Sequence, residues 1–277
     1  MTTLRRVRAI SVVALGVITA CGSTSRGSGS PSTGVVTISS RAGTLSGMTF
    51  GETLVLAGFV QAADGTQPVC DIQTMGACEV IRCTTESADA GAPMSDAGAA
   101  RTQRSAGTIT VSGGGRSIEL VPGANNTYTA RPEMGQLFPA GTMLTIEATG
   151  DSNGVPSFSA LLRMPSSIVL TAPLFNPTAP TTIPRNAPLA LSWTGGTASK
   201  VRVELGSTPN ASVRCIFDAA AGNGIVPADA LAAISPGDGL VVIAAADVRD
   251  QRVGEFSVSL SASSSDLNGG AARARFQ

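Results

Sequence analysis

Leu189-Ala190-Leu191-Ser192-Trp193-Thr194-Gly195-Gly196 and, shortly after it, Lys200-Val201-Arg202-Val203-Glu204-Leu205 decide how this 277-residue chain is read. Leu189, Leu191 and Trp193 recur at every second position, and so do Val201, Val203 and Leu205. A period of two puts side chains on one face of a β-strand. Gly195-Gly196 supplies the turn. The pair is therefore expected to be two strands with an apolar face inward and Lys200, Arg202 and Glu204 outward.

A strand ending in tryptophan, a glycine turn and then an alternating strand resembles the opening of fibronectin type III and related immunoglobulin-like sandwiches. The likeness covers residues 185–205 and, in strand spacing only, the seventy that follow. It lacks the Cys-Trp-Cys hallmark of immunoglobulin domains, so it implies architecture alone.

Working outward, Val213 to Phe217 and Leu240 to Ala245 read as strands, and Pro227 opens a short helical turn that Ser235-Pro236-Gly237 stops. Val253, Phe256, Val258 and Leu260 predict a last strand with a bulge at Gly254-Glu255. Residues 268–277 either pair at an edge or fray. Upstream, Pro173, Pro177, Pro180, Pro184 and Pro188 crowd residues 172–188 and predict a linker. The C-terminal unit is thus expected at 189–277.

The preceding part, 35–171, reads as a second sandwich. Val35 to Ser39, Thr53 to Val60, Gly107 to Val111, Ser117 to Val121, Thr142 to Ala148 and Ser157 to Leu161 are short β-rich runs between turn signals. Gly113-Gly114-Gly115 joins two of them as a hairpin; no Gly-Lys-Ser follows it, so it is no phosphate cradle. Residues 84–106 carry almost no large apolar side chain and are expected to be a disordered loop. Their repeated Asp-Ala-Gly, at 89–91 and 96–98, lacks the spacing and bidentate glutamate of a calcium loop. The fold class expected is all-β: two antiparallel β-sandwich domains.

The N-terminus has a different character. Arg5, Arg6 and Arg8 precede an uncharged run of twelve residues, Ala9 to Ala20. As a helix it would span roughly 18 Å, short of the roughly 30 Å bilayer core, so it reads as a signal segment and not a membrane span. Ile18-Thr19-Ala20-Cys21 resembles the bacterial lipobox, which implies a signal peptide at 1–20, cleavage before Cys21 and acylation of that cysteine. Gly22, where an aspartate would favour inner-membrane retention, implies the outer membrane by the same resemblance. Residues 21–34 are the lipidated cysteine and a Gly/Ser tether.

Composition narrows the chemistry. The chain has no histidine, which excludes Ser-His-Asp and Cys-His nucleophiles and histidine zinc sites. Without residues 1–20 it carries three more acidic than basic side chains, giving no reason to expect nucleic acid as partner. Besides Cys21 there are four cysteines, Cys70, Cys78, Cys83 and Cys215, candidates for disulfides in an exported chain, with three possible pairings. Cys70 can meet Cys78 or Cys83 across a hairpin through Gly76, and one bridge is expected within residues 70–83. Cys215 is either an interdomain partner or a free buried thiol. The cysteine spacing lacks C-x-x-C, so no metal site or cofactor is expected.

For catalysis only carboxylates remain, such as Asp247 with Asp250 or Glu147 with Asp151, and these are expected as solvated loop charges. Trp193 is expected in the core and not on a sugar. The chain therefore reads as a non-catalytic envelope lipoprotein with a binding or structural role toward an envelope protein or polysaccharide. The alternative is a polysaccharide-binding or carboxylate-dependent carbohydrate-active protein.

Overall fold

A computed structural model describes residues 32–45, 48–61, 69–84, 102–129, 131–176, 179–198, 200–208, 211–266 and 271–277. The signal segment, Cys21 and both Asp-Ala-Gly repeats lie outside the described residues. The first half contributes β1 (Ser32–Leu45), β2 (Met48–Gln61), β3 (Val69–Met75), β4 (Cys78–Thr84), β5 (Thr102–Gln103), β6 (Ile109–Gly113), β7 (Arg116–Leu120), β8 (Arg131–Met134), β9 (Met143–Ala148) and β10 (Phe158–Arg163). The second contributes β11 (Ile168–Ala172), β12 (Thr181–Ile183), β13 (Leu189–Gly195), β14 (Lys200–Thr208), β15 (Ala211–Asp218), β16 (Asn223–Val226), α1 (Ala228–Ala232), β17 (Gly237–Val253), β18 (Phe256–Asp266) and β19 (Ala271–Phe276). The fold is all-β, as the alternation predicts.

One twelve-stranded sheet runs through the molecule in the order β3-β4-β15-β14-β17-β18-β1-β2-β5, with β19, β12 and β8 paired off that path. Two smaller sheets, β10-β9-β6-β7 and β11-β13-β16, pack against it. Odd-numbered side chains of β17 enter both cores: Val241, Ile243 and Ala245 one, Val253 the other. Since odd positions share one face of a strand, both small sheets cover the same face of the large one.

The Trp193 core gathers Leu191, Trp193, Val201, Val203, Leu205, Val213, Cys215, Phe217 and, from the first half, Cys78 and Val80. The Tyr128 core gathers Val36, Ile38, Val55, Phe59, Ile109, Ile146 and, from the second half, Phe256, Val258 and Leu260. Each core thus takes strands from both of the expected units, 35–171 and 189–277. The links are β4 paired with β15 and β1 paired in parallel with β18, from Ser32↔Phe256 to Ala42↔Asp266. Parallel pairs, here also β12 with β19, depart from the purely antiparallel expectation.

Several elements follow local chemistry. The β6–β7 turn has Gly114 at φ +56 and Gly115 at φ +76, the left-handed pair that suits a two-residue hairpin. Gly34 lies opposite Phe59, whose ring sits where a β-carbon would be, 2.4 Å away, so only glycine fits under it. Leu191 and Trp193 are buried and Leu189 is partly so, while Val201, Val203 and Leu205 are fully inward.

Four expectations are corrected. Gly254-Glu255 is the turn of the β17–β18 hairpin, not a bulge, with Val253 opposite Phe256. The tether ends at residue 31 at the latest, because Ser32, Thr33 and Gly34 already pair with β18. The proline-rich stretch is packed: Phe175 and Ile183 are buried, and β12 adds to β19. Finally, the expected loop 84–106 closes in order. Ser105 and Ala106 are buried because their backbones are bonded, Val155 N–H donating to Ser105 O at 2.8 Å and Gly150 N–H to Ala106 O at 2.8 Å. Residues 85–101 lie outside the described residues.

Candidate binding surface

On the face of the large sheet opposite the cores, β4, β15 and β14 align a row of charges. Glu79 of β4 is the register partner of Arg214 on β15, and Arg214 that of Glu204 on β14. Arg202 shares their face two residues from Glu204. Glu204 Oε1 lies 3.5 Å from both Arg202 Nε and Arg214 Nε, with the three side chains 13–23% exposed. Opposite charges on neighbouring strands contribute roughly 0.2–1 kcal/mol a pair. All three atoms are buried and none of them reaches a hydrogen-bond partner, so the cluster holds by charge alone.

Beside the row lies a depression of about 160 Å³ lined by Thr74, Gly76, Cys78, Glu79, Arg214 and Ile216. It is smaller than the roughly 300–1,000 Å³ of small-molecule sites. Ile216, 41% exposed, gives it an apolar edge.

The row stands on a covalent support. Cys78 and Cys215 are register partners, fully buried, and joined by a disulfide with α-carbons 3.9 Å apart. Each is the chain neighbour of a charged member, Glu79 or Arg214, which points to the other face. This is the interdomain alternative for Cys215, and with Cys78 so engaged the bridge expected within residues 70–83 has Cys70 and Cys83 left to it. The Cys78–Cys215 bond was hidden because 137 positions separate the two cysteines. Cys70 and Cys83 are register partners in the β3–β4 hairpin; their side chains lie outside the described residues.

The carboxylate pairs do not converge. Asp247 and Asp250 are three apart on β17 and so face opposite ways, and Asp247 Oδ2 accepts the Arg163 N–H at 2.7 Å. Asp151 Oδ1 accepts from Asn153 N–H at 2.9 Å within its own turn, while Glu147 lies on the exposed face of β9. Trp193 is 2% exposed and donates from Nε1 to Ala219 O at 3.0 Å. Among the described residues no group of three or more Cys, Asp or Glu is placed to hold a metal ion. Nor is any described helix long and apolar enough to cross a membrane.

The charged row is not legible in the sequence. Its signal is present, charges alternating with apolar residues in Glu79-Val80 and Arg202-Val203-Glu204, but which strands lie side by side is not.

No family model and no curated protein matches the chain. A solved structure of a bacterial ice-binding adhesin, described in work on its retention at the host cell surface, is 13% identical, covering 79% of this chain and 74% of its own, with a TM-score of 0.16. That overlay carries no argument about this chain.

Proposed function

We propose that this protein is a non-catalytic lipoprotein of the bacterial envelope, acylated at Cys21, anchored in the outer membrane and presenting its β body as a binding or structural surface to an envelope protein or polysaccharide. The observation that carries the reading is Ile18-Thr19-Ala20-Cys21 placed directly after a basic segment and an apolar run of signal length. Two or three acyl chains, at about 0.8 kcal/mol per buried CH₂, give a stable anchor where one gives reversible binding.

The body's geometry supports a division of labour. β1 begins at Ser32 beside Phe256, next to the Gly254–Glu255 turn, so the tether enters at the Tyr128 core. β17 runs from there to Gly237 in the Trp193 core, about 50 Å along the strand at about 3.3 Å per residue. The charged row of β4, β15 and β14 therefore belongs to the half remote from Ser32.

Cell fractionation tests the anchor. A Cys21→Ser protein is expected to leave the membrane fraction while remaining exported; continued membrane association rejects the reading. Co-sedimentation of the full chain with isolated peptidoglycan and surface polysaccharide then tests the binding role. Saturable pelleting that weakens on Arg214→Ala supports it, and pelleting indifferent to that change removes the charged row from the account.

A further inference from the structure

We propose that Cys70 and Cys83, opposite register positions of the β3–β4 hairpin, form a second disulfide, on the other face of the sheet from Cys78–Cys215. The hairpin turns through Gly76 and Ala77, with Met75 opposite Cys78. The pair flanking a two-residue turn is a hydrogen-bonded one, and along an antiparallel ladder such pairs alternate with non-hydrogen-bonded pairs. Stepping outward from Met75↔Cys78 through Thr74↔Glu79, Gln73↔Val80, Ile72↔Ile81 and Asp71↔Arg82 makes Cys70↔Cys83 a non-hydrogen-bonded pair. At such positions the α-carbons approach to about 4.5 Å, within the range that a disulfide spans.

The molecule contains its own comparison. Ile216 N–H donates to Ala77 O at 2.9 Å, the bond that brackets a non-hydrogen-bonded pair, so Cys78 and Cys215 occupy the same kind of ladder position, and they are bonded. Strand alternation puts residues 79, 81 and 83 on the face away from Cys78. The two bridges then serve different contacts: one ties β4 to β15 on the core face, the other closes the outermost described hairpin, β3–β4, on itself. With Cys78–Cys215 formed, the two remaining body cysteines are each other's only register partners among the described strands.

The chemistry is thiol–disulfide exchange. A Cys70 or Cys83 thiolate attacks oxidised glutathione and expels one glutathione thiolate, and the second cysteine thiolate then expels the other from the mixed disulfide; two protons and two electrons leave the cysteines, and the oxidant ends as two thiols. The inference does not depend on the lipid anchor.

The test is a disulfide map of the full chain equilibrated in mixed oxidised and reduced glutathione. Free thiols are alkylated, the chain is cleaved before Asp71 and after Glu79, and the peptides are weighed without reduction. A peptide containing Cys70 joined to one containing Cys83, lighter by two hydrogens than the separate pair, is expected beside Cys78–Cys215. Alkylated Cys70 and Cys83, or a bond from either to Cys21, Cys78 or Cys215, overturns it. In a Cys215→Ser chain the Cys70–Cys83 peptide is expected to persist, because hairpin register alone sets it. A switch to Cys70–Cys78 there overturns the register argument.

Discussion

The Trp193 core and the Tyr128 core share one sheet but are closed by different means. The four strands that cover the Tyr128 core, β6, β7, β9 and β10, lie between residues 109 and 163, interrupted by β8, which pairs with β2. Phe59 ties them to the large sheet, its ring 6.0 Å from Tyr128 and 6.1 Å from Phe158. Tyr128 adds hydrogen bonds, donating its hydroxyl to Gly107 O at 2.7 Å and accepting from Ala106 N–H at 2.8 Å. The Trp193 core instead recruits a short hairpin, β3–β4, from far upstream, and fastens it covalently through Cys78–Cys215. Closing a long loop costs entropy, so a cross-link gains most where the joined strands are distant in sequence. β1 joins β18 in the Tyr128 core across a greater separation by burial and pairing, so the cross-link belongs to the short β3–β4 hairpin rather than to distant pairing in general.

The single tryptophan and the single tyrosine make that contrast measurable, since each reports one core. The largest effect is expected from Phe59→Ala. Truncating a fully buried phenylalanine costs about 3–5 kcal/mol, and denaturant curves read by Tyr128 should shift further than those read by Trp193. Replacing Cys78 and Cys215 together by alanine should cost about 2–4 kcal/mol with the opposite preference, Trp193 fluorescence changing first. Equal shifts of both reporters in both variants would mean that β17 and the rest of the shared sheet make one cooperative unit.

Tyr128→Phe should cost about 1–3 kcal/mol, because the Ala106 N–H loses its bond inside the protein. Tyr128 also adds a pH arm. Burial, opposed by its hydrogen bonds, raises its phenol pKa above the ordinary value. The folded pKa then exceeds the unfolded one, so this contribution is complete below the ordinary tyrosine pKa of about 10 and is lost as pH rises through the raised value. Phenolate absorbance should therefore appear together with loss of the Tyr128 core, and Tyr128→Phe should flatten that alkaline slope.

The smallest effect is at the β17–β19 pair beside the Trp193 core. The hydrogen bond and charge of Arg275, 2.7 Å from Asp238, hold the Asp238 carboxyl below the usual aspartate range. Stability from this pair is present above the unfolded aspartate pKa and lost as pH falls through the depressed one. Both groups are exposed, so Arg275→Ala should return the Asp238 titration, followed by carboxyl NMR, to the ordinary range while leaving both reporter midpoints in place.

Much of the local structure was legible. The alternation at 189–193 and 201–205, the Gly113–Gly115 turn and the Pro227 helical turn appear where their residues put them. The long strand β17 shows in the sequence only over residues 240–245, because its continuation, Asp247 to Arg252, passes between the two cores and loses the apolar period. There Asp247 occupies the core face and is satisfied by the Arg163 backbone. The end of the expected loop 84–106 was misread for a related reason: Ser105 and Ala106 are held by backbone bonds, which leave no mark in hydrophobicity.

The sequence by itself determined the strands at 189–193 and 201–205, their inward faces and the turn at 113–115, since period two and left-handed glycines act over a few residues. Which strands meet was decided only in the tertiary structure. Every strand offers the same backbone donors and acceptors, and an alternating run such as Val201 to Leu205 fits many neighbours equally well. The parallel pairing of β1 with β18, the addition of β4 to β15 and hence the union of Cys78 with Cys215 follow from burying both cores against one face of a single sheet. That is a condition on the whole chain, which no short stretch of it can express.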